Sequence, residues 1–178
     1  AMDDKILLDK YLNRTDNSIE RLIYIIKDLD LITQLEASTM NLNISSFNLI
    51  DLISDIFEQL EIKSREKNIK LFFDKKYDKE ILVKADKARI EQVITNLLVN
   101  SINYGSKNGS TEVSISDLTE DKLIVRVTDN GDGIDQEHLP RLFERFYRVD
   151  VSRSRSHGGS GLGLCLLYTS DAADDSLR

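Results

Sequence analysis

The chain of 178 residues contains one cysteine, one proline and two histidines, and each scarcity closes off a class of protein. Cys165 alone cannot form an internal disulfide or a zinc cluster of the four-cysteine type. A single proline excludes a Pro-rich linker. Nowhere does an apolar run reach the roughly 18 residues that a membrane-spanning helix needs, and a signal peptide ahead of the first polar residues is not expected. Positive charge is the minority sign, with 24 Lys+Arg against 31 Asp+Glu and a net charge of −7. That balance argues against nucleic acid as a partner, although a local basic cluster can still hold phosphate. An apolar share of 40%, with six Tyr and six Phe, is too high for a disordered chain. The length suits one domain with an appendage. The expectation is a soluble intracellular piece without membrane contact, in which Ala1-Met2 reads as a cloning remnant.

The appendage lies at the N terminus. Leu8, Leu12, Thr15, Ile19, Leu22, Ile26, Leu29 and Thr33 follow one another at alternating spacings of 4 and 3, the a/d seam of a coiled coil or bundle helix. Tyr24, Ile25, Leu31, Ile32 and Leu35 widen the stripe. A helix with so much apolar surface needs a partner, either its own domain or another chain.

Beyond an extended stretch at 41–47, Asn48 offers an N-cap with Asp51 as its capping-box partner. Ile50, Ile53, Phe57 and Leu60 mark a helix face running to about Lys67. Strands are expected at Ile69–Phe73 and Ile81–Val83. Asp86 is positioned to cap a helix over 87–103, with Ile90, Val93, Ile94, Leu97 and Leu98 on one side and Gln92, Asn96, Asn100 and Asn103 on the other. Thr111–Leu118 and Lys122–Asp129 alternate as paired strands. Residues 130–160 read as loop and short helix, and Leu162–Leu167 as the start of a further helix. The periodicity vanishes after Tyr168, so 168–178 is expected to be a disordered or foreign tail.

Three constellations carry chemistry. The carboxamide oxygens of Asn96, Asn100 and Asn103 are hard neutral ligands suited to Mg²⁺ shared with phosphates, although in isolation the same face also reads as a solvated helix surface. Asp129-Asn130-Gly131-Asp132-Gly133 follows a strand, where a carboxylate can accept from an exocyclic amine and glycines admit a flat ring. It equally fits an ordinary turn. Gly158-Gly159-Ser160-Gly161-Leu162-Gly163-Leu164 leads into a helix and can cradle phosphate. It is neither a Walker A loop nor a dinucleotide fingerprint.

In this order and spacing the three, together with Leu142-Phe143-Glu144-Arg145-Phe146-Tyr147-Arg148, resemble the asparagine, first glycine, phenylalanine and second glycine boxes of bacterial sensor histidine kinases. Those kinases share a superfamily with gyrase, Hsp90 and MutL. The resemblance covers about 8–167. It implies a two-layer α/β sandwich of the Bergerat type, helices over one face of a mixed sheet, preceded by a long dimerisation helix. Residues 1–40 would be the second helix of the dimerisation and phosphotransfer hairpin, and 41–167 a C-terminally truncated ATP-binding domain. The cofactors implied are ATP and Mg²⁺. Asn100 is the implied Mg²⁺ ligand, with Asn96 and Asn103 in the same box. Tyr104 flanks the adenine, Asp129 reads its amino group, and Gly131 and Gly133 touch the ring. Residues 135–160 form the lid, anchored by Phe143 and Phe146, where Arg145 or Arg148 faces the phosphates or the helical bundle. The backbone of Gly159, Gly161, Leu162, Gly163 and Leu164 cradles the polyphosphate.

The implied parent transfers the ATP γ-phosphoryl group to a histidine and then to a response regulator aspartate. Its partners are a second copy, through the N-terminal helix, and a receiver domain. The piece would be cytoplasmic, with the inner membrane open to the parent as an anchor. The family's phosphoacceptor His-Glu box has no counterpart here, since His138 and His157 fall in the lid region, so autophosphorylation by this chain alone is not expected. The general base is not assigned. A noncatalytic ATP-binding or dimeric interaction module is the competing reading; a gyrase- or MutL-type clamp disagrees with the phenylalanine box and the N-terminal bundle helix, and those enzymes place a catalytic glutamate where this chain has Asn96.

Overall fold

The computed structural model describes residues 42–149 and 161–164, together with helical residues scattered between 7 and 33. The chain divides into two compact units, Asn41–Glu137 and a second made of Ala1–Met40 with His138–Arg178. The predicted tail at 168–178 lies outside the described residues.

Asn41–Glu137 begins with strand β1, Ile44–Asn48, and helix α1, Leu49–Gln59. Asn48 is the N-cap as expected: its Oδ1 accepts from the Ile50 N–H at 3.2 Å and also from the Ile81 N–H at 3.2 Å. The helix expected to run to Lys67 is broken at Leu60, whose ψ of 0° separates α1 from α2, Glu61–Glu66. Leu60 keeps its side chain in the core while Ile62, just past the break, stays exposed. The buried stripe of α1 is Leu49, Leu52, Ile53 and Ile56. Ile50 and Phe57 fall on its flank, where they are only partly covered.

Strand β2, Lys70–Phe73, and strand β3, Leu82–Asp86, lead to helix α3, Lys87–Tyr104. Strands β4, Ser110–Thr119, and β5, Lys122–Asp129, close the unit. The order β2-β4-β5 makes a mixed sheet, with β2 parallel and β5 antiparallel to β4. β1 and β3 pair separately, antiparallel, from Ile44↔Asp86 to Asn48↔Leu82.

Alternation along β4 sends Thr111, Val113 and Ile115 to one face, where all three are buried. Leu98 and Ile102 of α3 and Ile53 and Ile56 of α1 join Val113 and Ile115 in one cluster. Helices thus cover one face of a mixed sheet, which is the α/β sandwich. Phe57, Phe73 and Tyr77 form an aromatic chain, with ring centroids 5.2 Å and 5.6 Å apart. The Tyr77 hydroxyl donates to Asp74 Oδ1 and accepts from the Ile115 N–H, both at 2.7 Å. Burial and the Asp74 carboxylate raise its pKa.

In the second unit every member of the 4-3 series from Leu8 to Thr33 is helical and exposed. Thr15 and Thr33 bond back to the carbonyls of Tyr11 and Leu29, each at 2.9 Å, so their hydroxyls are satisfied on the helix itself. Among the described residues no helix is long and apolar enough to cross a membrane.

Candidate functional site

α3 carries four of the candidate residues, and its two ends are fixed by different means. At the N terminus, Asp86 Oδ1 accepts from the Arg89 N–H at 3.2 Å, while Oδ2 accepts from the Asn43 N–H at 2.9 Å. The bond from Asn43, and then Arg89, outweigh burial and hold the carboxyl below the usual aspartate range. Along the helix Ile94, Leu98, Ser101 and Ile102 are buried. Asn96, Asn100 and Asn103 lie off that stripe and are half-buried, and Tyr104 ends the helix exposed. Nδ2 of Asn96 is a buried side-chain atom with no hydrogen-bond partner among the described residues. Such an orphan costs about 1–3 kcal/mol unless a ligand or water completes it.

At the C terminus α3 has no basic residue in its own last turn. Lys67 supplies one from the end of α2, its Nζ donating to the carbonyls of Ile102 at 2.8 Å and Asn103 at 2.7 Å. Burial, then neighbouring Lys63, lower the pKa of this ammonium. The Gly105 N–H returns to the Ser101 carbonyl at 2.7 Å.

The turn after β5 packs directly on this end of the helix. A Cβ at Gly131 would stand 2.6 Å from the Tyr104 carbonyl oxygen, so only glycine permits the approach. The Gly131 N–H donates to Asp129 Oδ1 at 2.8 Å, closing the turn. Asn130 fastens it from behind: its carbonyl accepts from Ser106 Oγ at 2.8 Å and its Oδ1 from the Ser110 N–H at 2.9 Å. Gly133 has open space around it and is required instead by its φ of +75°. The structure therefore brings Asp129 and Gly131 against the end of the helix that bears Asn103 and Tyr104.

The roles of three residues around this junction escaped sequence reasoning. Ser101 Oγ and Thr111 Oγ1 bond to each other in the core, and Thr111 faces Asp129 across the β4–β5 ladder. Ser101 lies seven positions after Ile94, on the same stripe, a signal that its polar side chain masks. Lys67 gave no local signal, because its partners lie 35 and 36 residues away.

The remaining candidates belong to the other unit. Gly161, with φ +75°, accepts the Phe146 N–H on its carbonyl at 3.0 Å. A Cβ there would come within 2.9 Å of the Phe146 backbone. Phe146 itself has φ +62°, rare for an aromatic residue. Its side chain is exposed, as is that of Phe143. Leu162 is wholly buried, Gly163 and Leu164 are helical, and Arg148 is half-buried. A 3₁₀ turn, Gln136–Arg141, precedes them. His138 Nδ1 meets the Tyr147 hydroxyl at 2.7 Å, and Arg141 lies over the Tyr147 ring and bonds Glu144. Gly159 lies outside the described residues.

Residues 85–172, which include both glycine turns and the asparagine helix, match the family described as Histidine kinase-, DNA gyrase B-, and HSP90-like ATPase. The solved catalytic domain of histidine kinase ThkA is 30% identical, with a TM-score of 0.59 over 71% of this chain and 78% of that one. The chain belongs to the histidine kinase family. Sensor histidine kinase WalK of Bacillus subtilis (strain 168) is 30% identical over 167 residues, 93% of this chain and 27% of that kinase. The present chain thus spans just over a quarter of the kinase it matches there. ThkA has also been solved in complex with the response regulator protein TrrA, where the likeness is 32% identity and a TM-score of 0.63 over 79% of this chain and 40% of that one. Full-length ShkA in complex with AMPPNP shares the fold, at 22% identity and a TM-score of 0.75 over 92% of this chain and 33% of that one. Within the matched residues, Asn96, Asn100 and Asn103 lie on α3 and Asp129–Gly133 on the turn after β5.

Proposed function

We propose that this chain binds ATP with Mg²⁺ on the asparagine face of α3 and the 129–133 turn, as the nucleotide-binding part of a sensor histidine kinase. The whole protein would pass the γ-phosphoryl group to a histidine and then to a response regulator aspartate. The orphaned Nδ2 of Asn96 carries the reading: a donor buried without a partner fits a phosphate oxygen or a phosphate-bound water. The carboxamide of Asn100, one turn further along the same face, suits Mg²⁺, which keeps waters and shares phosphate oxygens rather than filling a protein cage. When bound, the ion would offset charge on the polyphosphate.

At the other end, Asp129 spends Oδ1 on the Gly131 N–H, so its second oxygen is the one to accept from the adenine amino group. Asn103 and Tyr104 are assigned to the flanks of that position, with Gly131 letting the turn close on the helix end and Gly133, open on its free side, leaving room for the ring. Arg148 and the backbone of Gly159, Gly161, Leu162, Gly163 and Leu164 are assigned to the polyphosphate. Positioning and charge stabilisation, rather than covalent chemistry, are what such residues contribute to phosphoryl transfer.

The domain assignment is 1–40 as the second hairpin helix, 41–167 as the ATP-binding domain and 168–178 as a tail. The exposed seam from Leu8 to Leu29 suits a homodimer, because apolar stripes of this size are covered in folded proteins. The ThkA complex supports a receiver domain as the second partner.

Calorimetric titration with ATP tests the reading. Saturable one-to-one binding that Mg²⁺ strengthens is expected. Asn100→Ala should lose the Mg²⁺-dependent part of the affinity without a change in melting temperature. Unchanged Mg²⁺-ATP affinity in the variant would remove Asn100 from the metal site. A folded wild-type chain that does not bind ATP would overturn the nucleotide reading as a whole.

A further inference from the structure

The last carbonyls of a helix carry its negative end and need donors that the helix cannot provide. In α3 that end also borders the proposed site: the Tyr104 carbonyl lies against Gly131, and the reading above assigns Asn103 and Tyr104 to the surroundings of the base. α3 has no lysine or arginine in its last turn. Both carbonyls immediately before Tyr104, those of Ile102 and Asn103, are bound by one ammonium, Lys67.

Lys67 is not a loosely held surface lysine. Its own carbonyl accepts the Asn108 N–H at 3.1 Å, and the next residue's amide, Asn68 Nδ2, donates to Asn108 Oδ1 at 2.9 Å. Asn68 and Asn108 both adopt left-handed backbone, with φ of 54° and 63°, a conformation asparagine tolerates better than most residues. Buried Ile69 then bonds back to the Ser64 carbonyl at 2.9 Å, and the Lys70 N–H reaches the Gly109 carbonyl at 3.1 Å. The turn is fastened to the loop that follows α3, so the lysine is presented from a fixed base.

We propose that Lys67 is a positioning residue for the base-holding end of the site: by holding the Ile102 and Asn103 carbonyls it sets where Tyr104 and the Asp129–Gly131 turn meet. This rests on the ATP reading for its ligand but not for its geometry. The effect is confined to one end. Asn96 lies eight residues before Tyr104, about 12 Å along the helix axis, so a shift at the C terminus reaches the base contacts before the phosphate contacts.

The test compares wild type, Lys67→Met and Lys67→Arg in two measurements. In the first, ATP, adenosine and inorganic tripolyphosphate are titrated in the presence of Mg²⁺. Lys67→Met should weaken ATP and adenosine by about tenfold, the scale of a lost charge-assisted bond, and leave tripolyphosphate within about twofold. Lys67→Arg, which keeps the charge, should recover most of the loss. Equal weakening of all three ligands would mean Lys67 only stabilises the fold, and unchanged adenosine affinity would overturn the proposal.

The second measurement is amide hydrogen exchange without nucleotide. Faster exchange at Gly105 and Gly131, with Val113 unchanged, is expected in Lys67→Met, whereas unchanged exchange at both glycines would overturn the proposal. If wild type binds no ATP, the nucleotide reading fails separately and this exchange arm alone decides the role of Lys67.

Discussion

Leu98 in α3 and Leu22 in the N-terminal helical stretch are the same side chain on the same kind of backbone, yet Leu98 is 0% exposed and Leu22 58%. Both belong to regular apolar repeats. The repeat of α3 meets its partners inside Asn41–Glu137: Val113 and Ile115 on β4, and Ile53 and Ile56 on α1. That of the N-terminal stretch runs from Leu8 to Leu29 with every described member outward. The lesson is that period alone does not say where the partner lies. A stripe interrupted by Ser101 still folds into its own domain, because that serine finds Thr111. The purer seam has no buried member among the described residues, which is why another surface is proposed to cover it.

The comparison is broken most forcefully at the two leucines. Leu98→Ala should lower the unfolding free energy of the 41–137 unit by about 2–5 kcal/mol, from lost transfer energy and the cavity left behind. Leu22→Ala should change it by less than about 0.5 kcal/mol. Urea unfolding at a concentration too low for self-association measures both, and similar losses at the two sites would contradict the division.

A smaller effect is expected at the N-cap of α3. Asp86→Ala should cost about 1 kcal/mol. Because the folded carboxyl titrates below its ordinary value, the contribution of Asp86 is complete above about pH 4 and is lost as pH falls through the folded pKa. Urea curves of wild type and variant should therefore differ near neutrality and converge in acid. A gap that persists in acid would assign the cap's effect to something other than the charge of Asp86.

Smallest in stability, though decisive for the seam, is Ile26→Lys. A polar change at an exposed position should move unfolding by less than about 0.5 kcal/mol, while sedimentation should show self-association weakened or abolished. Unaltered self-association would place any dimer contact elsewhere.

Much of the fold was legible because its signals are local. Asn48 and Asp86 were recognised as N-caps from residue type and position, and both accept the expected backbone N–H groups. The alternation along β4 and β5 gave their extents nearly to the residue, although the bulge between Asp117 and Thr119 left no mark in the pattern. Reading α1 and α2 as one helix failed because no glycine or proline marks the break: Leu60 turns to keep its side chain in the core. That β1 pairs with β3 rather than with the main sheet was likewise not readable, since edge pairing depends on which strand arrives alongside.

In the candidate site the same boundary recurs. The residue types and their order, the asparagines on one helix, an aspartate at a strand end and glycines where the backbone must turn, were all in the sequence, because they follow from helical period and turn chemistry. What tertiary structure alone decided is how the helix end and the turn meet. Gly131 lies on the Tyr104 carbonyl, Asn130 is bonded to Ser106 and Ser110, and Lys67 crosses from another helix to the carbonyls of Ile102 and Asn103. These partners are separated by 20 to 36 residues along the chain, and no local pattern encodes such a distance. The sequence by itself determined which groups are available, because propensity and periodicity act over a few residues; only packing decided which of them touch, because contact depends on the whole chain's path.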